Sequence, residues 1–261
     1  MKKQKAYFFL LLLAGFLGSC SSKDKYEDSK VEPNTCSMIF IDKSVSVDVN
    51  KAFVNEKYTT IINQLIDDNV KMKGDKIEVY FVHENTAKGK AAEMVCRSEM
   101  EKIEGASSTD SEAIATEYNR SLQRERSIYK KMVLTQLASQ NTSSSKNSTD
   151  ITAALPLIDQ QIAKGYNVKA YFLSDMVESM QKPNRRDFHR NPPTDDAAAV
   201  GWAREDVVAL KPLLPNITTA TIYIAKPFEP TASSRKNNPA VSSYWQRLFM
   251  ELGVTNEVIE L

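Results

Sequence analysis

Five oxygen-bearing residues of this chain have types that suit a hard cation and lie beside apolar runs. Asp42, Ser44 and Ser46 form D-x-S-x-S directly after a short apolar run, Thr149 lies in STDITAAL, and Asp175 ends YFLSD. Alternate residues of an extended or tightly turning loop can aim their oxygens the same way. A carboxylate grouped with hydroxyls suits Mg²⁺, Mn²⁺ or Ca²⁺ better than zinc. Each piece alone is also what a turn or a helix cap uses, and spacing alone shows only a plausible oxygen cluster. His83 and His189 are the only histidines and fall on different elements. Neither a histidine zinc site nor a Ser-His-Asp triad is evident, and a G-x-S-x-G elbow is missing. After Asp175 comes a basic loop in which Arg185, Arg186 and Arg190 could draw an anionic partner to the metal's rim.

The elements that must position these groups follow from apolar periodicity. Short apolar runs predict strands over 37–42, 76–82, 168–173 and 218–225, with an edge strand over 93–97. Helical spacing predicts helices from Tyr58 to Val70, over 111–140, over 151–162 closed by Gly165, up to about Lys211, and from Val241 to Leu252. The polar stretch at 141–148 reads as a loop, and Asp150 reads as a solvent-facing first-turn residue. Strands alternating with helices imply a single α/β domain, a doubly wound and mostly parallel sheet with helices on both faces. In such sheets the groups at the carboxyl ends of adjacent strands meet where strand order reverses. Asp42 and Asp175 should meet there, with Thr149 approaching from the neighbouring loop.

Asp42-Lys43-Ser44-Val45-Ser46, Thr149 and Asp175 together resemble the metal-ion-dependent adhesion site of the von Willebrand factor type A (vWA) domain. The resemblance spans roughly residues 37–252. It implies a Rossmann-like vWA fold, a divalent cation (Mg²⁺, with Mn²⁺ or Ca²⁺ possible) and an open coordination position filled by an Asp or Glu of a protein partner. Glycines often precede the family's threonine and follow its final aspartate, whereas this chain has Asn147-Ser148 and Met176. A metal-free structural or assembly role is one alternative. Another is a Mg²⁺-dependent phosphoester hydrolase, although the haloacid dehalogenase-like D-x-D is replaced here by Asp42-Lys43-Ser44. With no base or nucleophile in evidence, a non-enzymatic binding module is the leading expectation.

The 261 residues, 42% apolar and 26% charged, suit one α/β domain behind a leader. Lys2, Lys3 and Lys5 precede an apolar run over 6–17, then Gly18, Ser19 and Cys20. This is the layout of a secretory signal peptide, and twelve apolar residues are too few for a lasting membrane span. Leu17-Gly18-Ser19-Cys20 resembles the lipobox of bacterial lipoproteins, which implies removal of residues 1–19, acylation of Cys20 (palmitate among the chains) and anchorage to a bacterial envelope membrane. Outer-membrane placement, periplasmic or surface-facing, is the expectation. Residues 20–35 then read as a charged tether and 36–261 as the domain. Without Lys2, Lys3 and Lys5, 31 basic residues face 33 acidic ones, a net of −2; charge gives no case for nucleic acid. Cys36 and Cys96 remain after lipidation as a possible disulfide, if their Cα atoms come within about 7 Å.

Overall fold

Strand β1, Thr35–Asp42, forms the middle of the fold, and its sequence TCSMIFID shows why. Cys36, Met38 and Phe40 enter one apolar cluster while Ile39 and Ile41 enter another, so both faces of the strand are covered. A near-continuous apolar run is the signature of a strand buried on two sides. The structure, a computed structural model, describes residues 32–140, 148–182, 185–229 and 231–261, of which Pro33–Leu261 form one compact unit. The expected signal peptide, Cys20 and nearly all of the tether lie outside the described residues, as does most of the polar loop at 141–148. Among the described residues no helix is long and apolar enough to cross a membrane.

The remaining strands are β2 (Lys76–Val82), β3 (Lys90–Val95), β4 (Asn167–Leu173), β5 (Thr221–Ala225) and β6 (Ile259–Glu260). They form a six-stranded sheet in the order β3-β2-β1-β4-β5-β6, parallel except for β3. Helices α1 (Ala52–Asn69) and α2 (Ser108–Ala138) bury Tyr58, Ile62 and Val133 on the Ile39 face. On the opposite face α3 (Leu155–Ala163), α4 (Asp196–Leu210) and α5 (Pro239–Leu252) bury Ile158, Ala203, Trp245 and Phe249. This is the doubly wound, mostly parallel α/β architecture that the alternation of elements predicts. Phe40 stacks between Tyr80 and Phe172 at 5.3 and 4.9 Å, tying β2, β1 and β4 together in the centre.

Departures from the expected elements are local. Strand β3 lies earlier than 93–97, with a register shift opposite Val79 and Tyr80. Residues Ile217–Thr219 form a 3₁₀ turn, so β5 begins only at Thr221. Strand β6 is two residues long, too short to leave a pattern in the sequence. Helix α2 starts ahead of Ser111 because the Ser107 hydroxyl accepts from the Asp110 N–H at 3.2 Å and caps it.

The disulfide does not form: Cys36 and Cys96 are both free and buried. Cys36 packs on the α3–α5 face, whereas Cys96 packs on the α1–α2 face and donates its Sγ–H to Glu125 Oε2 at 2.9 Å. The sheet separates them. Burial pushes both thiols up to about 12, so thiolate chemistry is suppressed.

Candidate functional site

Parallel pairing of β1 and β4 places Ile41 opposite Leu173, so Asp42 and the Ser174-Asp175 pair emerge from the same end of the sheet. Strand order reverses here, with β2 on one side of β1 and β4 on the other. Asp42 is fully buried. Its Oδ1 accepts from the Ser44 N–H at 2.8 Å and its Oδ2 from the Ser174 hydroxyl at 2.6 Å. The Ser44 and Ser46 hydroxyls lie 3.0 Å apart, and the Ser46 hydroxyl is hydrogen-bonded to Asp175. Asp175 Oδ1 also accepts from the Val177 N–H at 3.0 Å. Thr149 arrives through an antiparallel bridge in which the Ser179 N–H donates to the Thr149 carbonyl at 2.8 Å. Ser44, Ser46, Thr149 and Val177 line a small cavity of about 100 Å³, and Ser46 with Asp175 opens on the next. All five residues therefore meet at one end of the sheet.

Electrostatics set these two carboxylates apart. Burial, and then the charge of Asp175, pushes Asp42 up to about 7. Burial also raises Asp175, against the pull of the Ser46 hydroxyl, the Val177 N–H and the nearby His189. Two buried carboxylates that disfavour each other's charge are relieved by a cation placed between them. The Tyr58 hydroxyl, buried and without a hydrogen-bond partner among the described residues, lies within electrostatic reach of both. Among the described residues no group of three or more His, Cys, Asp or Glu is placed to hold a metal ion. A cation here would therefore depend on hydroxyls completing a pair of carboxylates. This donor set is all hard oxygen, and it fits Mg²⁺ or Mn²⁺.

Several residues that build the site carry no motif. Ser174 is adjacent to Asp175 in sequence, yet its bond to Asp42 appears only once β4 lies beside β1. Met176 adopts φ 62°, the left-handed region that a glycine would occupy without strain. For a side chain this costs about 1–2 kcal/mol, and neighbouring bonds hold it in place. The Met176 N–H donates to the Ser174 hydroxyl at 2.9 Å, and the Met176 carbonyl accepts from Trp245 Nε1 at 2.8 Å. Lys43 turns inward from the D-x-S-x-S loop and donates to the carbonyls of Gln136, Leu137 and Ser139 at 2.9, 2.6 and 2.8 Å. It caps the end of α2, where a cation also complements the helix dipole. Burial brings its ammonium down to about 8.

Two of the three arginines expected to face a partner instead brace the fold. Arg185 pairs with Asp150 and with Glu178, and Asp150 is buried rather than facing solvent. Asp150 Oδ1 accepts from the Ala153 N–H at 2.9 Å, and Glu178 Oε2 accepts from the Ile151 and Thr152 N–H groups at 2.7 and 3.1 Å. These carboxylates satisfy N–H groups at the start of the helical segment after Thr149, and Arg185 offsets their charge. Arg186 pairs with Asp206 and Glu205 and lies 4.9 Å from the Trp202 ring centre. Arg190 is the most accessible of the three, 69% exposed and held only by a 3.7 Å ion pair with Asp187. The sequence pattern could not separate these roles, because the acids that neutralise Arg185 and Arg186 come mostly from other elements.

No family model matches the chain, and no curated protein matches it. Among solved structures it is similar to proximal thread matrix protein 1 of the mussel byssus, at 10% identity, TM-score 0.37, covering 88% of this chain and 44% of that one. The manganese-loaded TRAP protein of Plasmodium vivax is similar at 12% identity and TM-score 0.35, covering 80% and 63%. A von Willebrand factor type A structure from Catenulispora acidiphila is similar at 14% identity and TM-score 0.34, covering 83% and 43%. The chain thus spans less than two thirds of each of these structures. With every score below 0.5, the fold rests on its own strand order and register.

Proposed function

We propose that this chain is a lipid-anchored protein of the bacterial envelope whose α/β domain docks an acidic residue of a partner protein on a divalent cation. The observation that carries the reading is the convergence of two buried, mutually repelling carboxylates, Asp42 and Asp175, with the hydroxyl residues Ser44, Ser46 and Thr149 beside an open cavity. Those five residues would hold the ion, Mg²⁺ first and Mn²⁺ or Ca²⁺ as alternatives, and the ion supplies a Lewis-acidic position for a partner's Asp or Glu. The protein's own part is to hold the oxygens in place through Ser174, Met176 and Glu178. A non-enzymatic role is supported by the bonding of the hydroxyls. Those of Ser44, Ser46 and Ser174 bond to one another or to the two carboxylates, and among the described residues no histidine or lysine joins those bonds as a base. Anchorage rests on the lipobox-like Leu17-Gly18-Ser19-Cys20.

A metal-free assembly role is the second reading, favoured by Ser174, which already satisfies one oxygen of Asp42. Calorimetric titration of the detergent-solubilised full chain with Mg²⁺ and Mn²⁺ separates the two. Binding that disappears in Asp42→Ala supports the metal site, whereas no binding at millimolar ion transfers the case to the metal-free role.

A further inference from the structure

The site opens on two larger cavities that share Ser46 and Asp175. One, of about 690 Å³, runs between the start of α1 and the segment after β5, past Phe53 and Phe228. The other, of about 250 Å³, runs past His189 to Arg235 and the start of α5. The larger is within the range of about 300–1,000 Å³ typical of ligand sites, and its continuity with the smaller makes an extended groove rather than a pocket.

Charge along this groove is unbalanced. Lys51, Arg235 and Lys236 line it, all exposed, and their side chains make no ion pair or hydrogen bond among the described residues. Glu229 is the one carboxylate besides Asp175 among the described lining residues. The contrast with Arg185 and Arg186, each neutralised by two acids, is sharp. The amino end of the fourteen-residue helix α5 adds positive potential beside Arg235 and Lys236. Phe53 and Phe228, both half-buried, give the same groove an apolar wall.

We propose that the groove receives an extended acidic segment of the partner protein. One carboxylate reaches the Asp42–Asp175 centre, an apolar side chain rests on Phe53 and Phe228, and further Asp or Glu residues meet Lys51, Arg235 and Lys236. This rests on the docking function proposed above and specifies the partner: it is read by more than its metal-binding residue. Complementary charge at such a rim contributes register and partner choice.

The test is a selection of random peptides of about a dozen residues, each with one fixed Asp, on the immobilised full chain in Mn²⁺. Acidic residues beyond the fixed Asp should be enriched about fivefold, the scale of one exposed ion pair. Lys51→Glu combined with Lys236→Glu, both at exposed positions, should switch the enrichment to Lys and Arg. A selection that yields no peptides, no acidic enrichment, or the same enrichment on the reversed variant overturns the inference. Repeating it in chelator distinguishes the two proposals. Acidic enrichment that persists without need of the fixed Asp supports the groove and removes the metal bridge. Dependence on the fixed Asp without further acidic enrichment removes the groove and leaves the bridge.

Discussion

Glu178→Gln is the most informative single substitution, because Glu178 joins the Asp175 loop to the helical segment that follows Thr149. Its carboxylate is fully buried. It is faced by Arg185 from its own loop, by Asp150 and the Ile151 and Thr152 N–H groups, and at longer range by Tyr244 of α5. Burial, only partly offset by Arg185, raises the carboxyl from 4.5 to about 7. A folded-state value above the unfolded one means stability fully present below pH 4.5 and lost as pH rises through 7. Each tenfold change in proton affinity is worth 1.36 kcal/mol, so the loss approaches about 3 kcal/mol. Glutamine does not titrate. The stability advantage of the wild type over Glu178→Gln should therefore shrink by about 3 kcal/mol between pH 4.5 and 8. Asp42 and Asp175 titrate in both proteins and cancel in the difference. Urea unfolding of the full chain in chelator, followed by tryptophan fluorescence at several pH values, measures it. A difference that stays constant, or grows with pH, would show that Arg185 keeps Glu178 ionised and refute the reasoning.

Lys43→Met removes the donor from three carbonyls at the end of α2. It should lower stability by about 2–4 kcal/mol, a fall in Tm of roughly 5–10 °C, with faster amide exchange in the last turn of α2. Unchanged melting and protection would mean that water replaces Lys43 without loss. Cys20→Ala should abolish incorporation of labelled palmitate and release the chain from the membrane fraction; retention of either would refute the lipobox reading.

Much of the fold is legible in local sequence. The central strands β1, β2 and β4 are covered on both faces, so their apolar runs are nearly continuous and their limits fall within two residues of expectation. Helix α5 shows its stripe because Tyr244, Trp245, Leu248 and Phe249 all face one core. Edge elements are less legible: β3 and β6 bury little, and burial is what writes a pattern into sequence. The long α2 is legible in its middle, while its ends depend on Ser107 at one and Lys43 at the other.

In local sequence Asp42, Ser44, Ser46, Thr149 and Asp175 form a plausible set of side-chain oxygens after a strand or before a helix, and grouping them as one metal site rests on the resemblance to the vWA pattern. Tertiary structure decided everything that depends on what lies opposite. It assigned Cys36 and Cys96 to different faces of the sheet, turned Arg185, Arg186 and Asp150 from surface groups into internal struts, and gave Asp42 its bond to Ser174. It also left the side chains of Lys51, Arg235 and Lys236 beside the site without an ion pair among the described residues. Spacing can specify which way a side chain points, but the partner it finds there, and hence whether its charge is neutralised or left available, is set by elements distant in sequence.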